Sequence, residues 1–80
     1  MTAKERIGLN IVKRLQDMGK SSGWLARQTH KADDTIRRYI TGMRVPTAIA
    51  LYKIAEALGC SMDELMEGVF EDDALSKGDE

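Results

Sequence analysis

The chain has 80 residues, a length that excludes a second domain. Of these residues 42% are hydrophobic and only four are aromatic, a composition that favours packed helices over strands, so we predict an all-α fold. Its formal net charge of -1 is divided unequally, because residues 1–54 hold eleven basic and four acidic residues (+7) and residues 55–80 hold one basic and nine acidic residues (-8). The single cysteine excludes an intrachain disulfide, and no run reaches the roughly 18 apolar residues of a membrane span, so we predict a soluble, cytoplasmic protein.

Helical spacing of apolar residues predicts the first two helices. Helix 1 should span about residues 4–18 and end at Gly19. A serine, Ser21 or Ser22, should cap helix 2, which ends by Thr29. Ile7, Ile11, Leu15 and Met18 recur at helical spacing in helix 1, and Leu25, Ala26 and Thr29 share one face of helix 2.

Helix 3 should follow the non-periodic residues 30–32. Asp33 is expected to cap a helix from Asp34 to Ile40, because aspartate accepts hydrogen bonds from the free amides of a first helical turn. Gly42 should end this helix. Its predicted apolar face consists of Ile36, Tyr39 and Ile40.

Helix 4 should begin at Thr47, after a loop of residues 43–45 and after Pro46, which presets the backbone for a helix start. Gly59 should stop it. Its wide apolar surface predicts burial on more than one side. The residues of that surface are Ile49, Leu51, Tyr52, Ile54, Ala55 and Leu58.

A short fifth helix and an acidic tail complete the predicted organisation. Ser61 followed by Glu64 has the spacing of a capping box, so helix 5 should run from Met62 to about Glu67. We predict a domain over residues 1–68. Residues 69–80 are mostly charged and should form an acidic, partly disordered C-terminal tail.

The second and third helices have the pattern of a helix-turn-helix. The small residue Ala26 lets two helices approach closely, and Ile36 and Tyr39 seal their crossing. From about residue 5 to residue 67 the chain resembles the lambda-repressor-like family of helix-turn-helix regulators, the Cro/C1 type. The residues that carry the resemblance are Gly19, Leu25, Ala26, Thr35, Ile36, Arg38, Gly42, Arg44, Pro46, Leu51, Ile54, Ala55, Ala57, Leu58, Gly59, Asp63, Glu64 and Leu65.

The resemblance implies a five-helix domain in which helix 3 enters the major groove of double-stranded DNA. The N-terminal half of helix 3 then faces base edges, whereas the start of helix 2 and the loop after helix 3 contact the phosphate backbone. On that basis Ser22 and Arg44 contact phosphates, and Lys31 is a further candidate. The implied reading surface consists of Asp33, Asp34, Thr35, Arg37 and Arg38.

Asp33 and Asp34 are unusual residues for a surface that faces a polyanion. One interpretation is that they cap helix 3 and interact favourably with its dipole. The other is that they accept a hydrogen bond from cytosine N4. We favour capping, with Arg37 and Arg38 supplying the base contacts, because arginine is the best-matched partner of guanine O6 and N7.

Three further side chains each have a structural and a functional interpretation. Trp24 should cover the edge of the core, or else donate its indole N–H to a phosphate. His30 should tolerate the left-handed turn between helices 2 and 3, and it lacks the neighbours that catalysis needs. Cys60 should be a buried thiol rather than a nucleophile.

We therefore predict a sequence-specific transcriptional regulator that represses by occluding a promoter, with no cofactor and no enzymatic activity. The alternative is a protein-interaction module on the same scaffold, such as an antitoxin or an adaptor, in which Asp33 and Asp34 would repel DNA. A homodimer is expected for the regulator, whereas in the alternative helix 5 and the acidic tail would hold a different protein. One apolar set either closes the core or forms part of the two-fold dimer interface: Met62, Leu65, Met66, Val69 and Phe70.

Overall fold

Five α-helices form the fold in the computed structural model, which describes residues 1–69. They are α1 (Ala3–Met18), α2 (Ser22–Thr29), α3 (Asp33–Ile40), α4 (Ala48–Leu58) and α5 (Met62–Leu65). No strand occurs within residues 1–69, and the predicted all-α fold is confirmed. The predicted disorder of the tail concerns residues 70–80, which lie outside the described residues. None of the helices in the described part has the length and apolar character needed to cross a membrane.

Side-chain caps begin α2 and α5 where the sequence predicts them. The Ser61 hydroxyl accepts a hydrogen bond from the Glu64 N–H at 3.1 Å, and the Glu64 carboxylate accepts one from the Ser61 N–H at 2.8 Å. This is the predicted capping box of α5. Ser21 rather than Ser22 caps α2, since its hydroxyl accepts a hydrogen bond from the Trp24 N–H at 3.1 Å.

The C-terminal ends of α1 and α4 also agree with the sequence. Gly19 and Gly59 follow these helices with φ of 67° and 68°, the left-handed conformation that glycine adopts without strain. The end of α5 differs from the prediction, because the helix stops at Leu65 rather than near Glu67. A tighter turn follows, in which the Val69 N–H donates to the Met66 carbonyl oxygen at 3.0 Å.

One hydrophobic core connects all five helices, because each helix contributes one large side chain that solvent does not reach. Val69 is also buried in this core, one residue beyond the predicted domain boundary. Burial of aliphatic surface is the main favourable term that holds so small a domain together. The five large, fully buried side chains are Ile11, Leu25, Ile36, Ile54 and Leu65.

The backbones of α1 and α3 meet at Gly8. A Cβ atom built on Gly8 would lie 2.4 Å from the carbonyl oxygen of Ile40 and 2.6 Å from that of Tyr39. Real side chains do not approach a backbone oxygen so closely, so only glycine allows this contact. The C-terminal end of α3 is therefore held directly against α1.

The expectation that helix 4 is buried on more than one side is wrong. Helix α4 is buried on one side only, since Ile49 is 72% exposed and Tyr52 is 57% exposed. Of the helix 5 set, Leu65 and Val69 are buried within the monomer and close its core, so they do not contact a second chain in this fold. Met62 and Met66 are half-buried, and Phe70 lies outside the described residues.

Candidate nucleic-acid interface

The turn between α2 and α3 is built as the helix-turn-helix pattern predicts. Leu25 and Ala26 are buried, and the buried Thr29 hydroxyl donates to the Leu25 carbonyl oxygen at 2.8 Å. His30 then adopts the left-handed conformation with φ of 57°, the only non-glycine residue within residues 1–69 to have a positive φ. The Lys31 N–H donates back to the Ala26 carbonyl oxygen at 3.0 Å, which closes α2 and turns the chain toward α3.

Helix α3 has one buried side and one charged, exposed side. Ile36 and Tyr39 are 0% and 5% exposed and anchor the helix in the core. On the opposite side Arg37 and Arg38 are exposed, and Thr35 is half-buried between the two sides. The helix is thus fixed rigidly along one face while the other face is free to meet a partner.

The predicted capping role of Asp33 is wrong. The N-cap residue of α3 is Ala32, no side chain caps it, and Asp33 is the first residue inside the helix. Asp33 and Asp34 are both exposed in the first turn, where a negative charge interacts favourably with the helix dipole. The favourable dipole interaction therefore remains, but without the capping hydrogen bond.

An ion pair on the exposed face of α3 was missed from the sequence. Asp34 Oδ2 lies 2.9 Å from Arg38 Nη2, one helical turn away. The signal was available, because an acidic residue four positions before an arginine on a helix places the two side chains next to each other.

The Asp33 side chain lies near the first turn of α2. A Cβ atom built on Gly23, the second residue of α2, would lie 4.0 Å from Asp33 Oδ1. Ser22 is half-buried at the first position of α2, next to Gly23. The fold thus brings the predicted phosphate contact Ser22 close to the first residue of the predicted reading helix.

Two predicted phosphate contacts lie on segments that flank α3. Lys31 is half-buried directly after the turn that precedes the helix, and Arg44 is exposed in the loop that follows it. Gly42 directs this loop with φ of 79°, and a Cβ atom at Gly42 would lie only 2.9 Å from Glu5 Cγ. Both basic residues therefore accompany the charged face of α3, one at each end.

Trp24 covers the edge of the core, which is the structural interpretation of this residue. Its side chain is half-buried and packs against the core cluster. The Lys20 ammonium lies 5.4 Å from the centre of its ring, within the range of a cation–π contact. This lysine contact was not predicted.

The surroundings of Cys60 determine the reactivity of its thiol. Cys60 is half-buried rather than buried as predicted, and this partial burial raises the pKa of its thiol despite the opposing effect of nearby Arg14. A raised pKa keeps the thiol protonated and weakly nucleophilic at neutral pH. Residues 1–69 contain no group of three or more histidine, cysteine, aspartate or glutamate side chains placed to hold a metal ion.

Comparison with known proteins agrees with this geometry. The helix-turn-helix family model matches residues 12–65. The crystal structure of the clp gene regulator ClgR from Corynebacterium glutamicum has a similar fold, with a TM-score of 0.82, 18% sequence identity, and coverage of 98% of this chain and 83% of that chain. None of the curated protein sequences compared with the chain matches it.

Proposed function

The chain belongs to the helix-turn-helix family of DNA-binding regulators, the Cro/C1 type, and from that premise we propose that it binds a specific double-stranded DNA sequence by inserting α3 into the major groove. The observation that carries the proposal is the two-sided character of α3. Ile36 and Tyr39 anchor it in the core, while Arg37 and Arg38 extend from the opposite side into solvent. A helix held in this way can reach base edges without losing its packing.

The predicted residues divide into two kinds of DNA contact. Arg37 and Arg38, with Asp33, Asp34 and Thr35, would face base edges. Ser22, Lys31 and Arg44 would contact the phosphate backbone and set the register of α3 in the groove. This division fits their positions, since the first five residues belong to α3, Lys31 and Arg44 lie in the segments that flank it, and Ser22 is the first residue of α2.

We propose that the protein acts as a repressor that occludes a promoter, and that it needs neither a cofactor nor a catalytic step. The helices of the described residues are the helix-turn-helix, α2 and α3, and the three other helices of the domain, α1, α4 and α5. The level of regulation would then be set by the concentration of the protein and by the number of phosphates it neutralises.

We also propose that the protein is a homodimer, through a surface different from the one the sequence suggests. Exposed apolar side chains of α4 and its preceding loop lie beside the half-buried Met62 of α5. We call this the α4–α5 apolar surface, and it consists of Val45, Ile49, Tyr52 and Met62. Val45 and Met62 border one open groove, in which Asp63 is the only charged lining residue. In a two-fold dimer the same surface meets its own copy, so apolar area faces apolar area.

A binding titration tests the DNA-binding proposal. The purified chain is titrated against random duplex DNA and against duplexes enriched by repeated selection, each at two salt concentrations. We expect selective binding that weakens with salt, because each neutralised phosphate adds about 0.9 to the slope of log affinity against log salt. Absence of binding at low salt would contradict the proposal and favour the alternative of a protein-interaction module.

Sedimentation equilibrium tests the dimer. Tyr52→Lys places a charge in the α4–α5 apolar surface and should shift the protein toward monomer. Lys53→Ala, at the neighbouring exposed position, is the matched control and should leave the assembly unchanged. A wild-type protein that stays monomeric at high concentration would contradict the dimer, and in that case the same surface remains available to a different protein.

A further inference from the structure

Asp34 and Arg38 form the only ion pair on α3 among the described residues. Asp34 Oδ2 lies 2.9 Å from Arg38 Nη2, and the two side chains are 65% and 50% exposed. Asp33 and Arg37, which are also exposed on α3, form no ion pair within residues 1–69. The two acidic residues at the start of the helix are therefore not equivalent.

The ion pair restricts the guanidinium group without using all of its hydrogen-bonding capacity. A guanidinium has five N–H donors in a rigid plane, and the contact with Asp34 involves one of its terminal nitrogens. The remaining donors are enough for the two parallel hydrogen bonds that guanine O6 and N7 accept. A free arginine would lose side-chain entropy on binding, whereas a paired arginine has lost part of it already.

The pair also accounts for a carboxylate on a surface that would meet a polyanion. Because Asp34 lies beside Arg38, their charges offset each other, and the pair repels phosphates less than an isolated carboxylate does. The second oxygen of Asp34 forms no other hydrogen bond within residues 1–69. It can accept a hydrogen bond from the amino group of cytosine or adenine.

We infer that Asp34 is a positioning residue that holds the Arg38 guanidinium for bidentate contact with a guanine in the major groove. The second Asp34 oxygen accepts a hydrogen bond from an amino group of a neighbouring base. This inference rests on the proposed function, since it requires α3 to lie in the major groove. It predicts that Asp34 contributes to sequence preference at a defined base pair.

Base-pair preference is the quantity that tests this role. A duplex selected by the wild-type protein is changed one base pair at a time, and each duplex is titrated with the wild type, Asp34→Asn, Asp34→Glu and Asp33→Asn. Asp33→Asn is the matched control, because it removes the same charge from the same helical turn and leaves the ion pair intact. The melting temperature of each variant shows that it is folded.

We expect Asp34→Asn to reduce the preference for guanine at one base pair by about tenfold, within the range measured for single bidentate contacts. Asp34→Glu should retain part of the preference, because glutamate four residues before arginine still pairs with it. Asp33→Asn should keep the guanine preference at that base pair, because Asp33 does not pair with Arg38, and any change in preference that it causes should fall at a different base pair. Arg38→Ala should lose the preference at the same base pair, and adding Asp34→Asn to it should cause no further loss there.

Two results would overturn the inference in distinguishable ways. If the wild type is selective and Asp34→Asn tightens binding to all duplexes evenly, then Asp34 acts only as a negative charge and the positioning role is wrong. If the wild type shows no sequence preference at all, the proposed function itself fails, and the positioning role fails with it.

Discussion

The exposed faces of α3 and α4 differ in chemistry although both helices are anchored in the same core. The face of α3 is charged, with Arg37, Arg38 and an ion pair. The face of α4 is apolar, with Ile49 and Tyr52 largely in solvent. Charged groups on a surface are stabilised by water, whereas large apolar groups gain by leaving it.

The comparison suggests that the two faces have different partners. A charged helix surface that carries two arginines suits the phosphates and base edges of DNA, and an exposed apolar surface suits another protein surface. Changes on one face should therefore leave the function of the other face largely intact. The following predictions test that separation, beginning with the largest expected effect.

The largest effect is expected when the anchor of α3 is removed. Ile36 is 0% exposed, so Ile36→Ala leaves a cavity and should lower the free energy of unfolding by about 2 to 5 kcal/mol. Ile49→Ala is the matched control, since the same side chain is 72% exposed and its loss should change the monomer's stability by less than about 0.5 kcal/mol. Urea denaturation monitored by circular dichroism measures both. Equal losses would mean that α4 is packed on both sides after all.

A smaller loss of stability is expected when α3 is displaced from α1. In Gly8→Ala the new methyl group would meet the Ile40 carbonyl oxygen, and the two helices must separate. We expect the free energy of unfolding to fall by about 1 to 3 kcal/mol. The free-energy cost of overpacking should exceed the stabilisation that alanine provides over glycine through its higher helix propensity. The difference between Lys53→Ala and Lys53→Gly, at an exposed position of α4, measures helix propensity alone and serves as the control. A stabilised Gly8→Ala protein would contradict the close approach.

DNA binding should respond to the face of α3 without a change in stability. We expect Arg37→Ala and Arg38→Ala each to weaken binding to a selected duplex by about 1 to 3 kcal/mol. The melting temperature should stay that of the parent, because both side chains are exposed. Lys13→Ala is the control, because it also removes one positive charge. Lys13 belongs to α1 and lies beside Glu64 and Glu67, so this variant should have little effect on the affinity for DNA. If both arginine variants bind as the parent does, α3 is not the reading helix.

The smallest effect concerns the capping box of α5. Hydrogen bonding to the Ser61 N–H, together with nearby Arg14, lowers the pKa of Glu64 below its ordinary value of 4.5 in the folded protein. A lowered folded-state pKa contributes stability that is present above pH 4.5 and is lost as the pH falls through the folded-state value. We therefore expect Glu64→Gln to flatten the fall in melting temperature below pH 4.5.

A neighbouring glutamate provides the control for the capping box. The Glu67 side chain is exposed and forms no hydrogen bond or ion pair within residues 1–69. Glu67→Gln removes a carboxylate outside the capping box and is measured in parallel as the control. If Glu64→Gln keeps the acid profile of the parent, the capping box does not stabilise the folded state measurably.

Local signals in the sequence were sufficient to place most helix ends. Ser61 with Glu64 and the two glycines after α1 and α4 act within one helical turn, so their effects can be read from neighbouring residues alone. Asp33 is the exception. A capping residue must have an extended backbone, and the chain adopts that conformation at Ala32, so the helix begins one residue earlier than predicted.

The candidate site was predicted in outline and not in its internal contacts. The side chains of Arg37 and Arg38 are exposed as expected for a reading surface, and His30 has the left-handed conformation that was anticipated. The pairing of Asp34 with Arg38 was missed, because we considered the two aspartates only against the helix dipole and the DNA. Their use in DNA contact stays a prediction.

The sequence by itself determined the five helices, the turn between α2 and α3, and the buried faces of the short helices, because these depend on capping residues, glycines and the helical repeat. Only the tertiary structure decided which apolar residues remain available. Leu65 and Val69 are used by the core, whereas Ile49 and Tyr52 are not, although all four are apolar. Periodicity gives the direction of a side chain around its own helix, but burial depends on which other helix packs against that side.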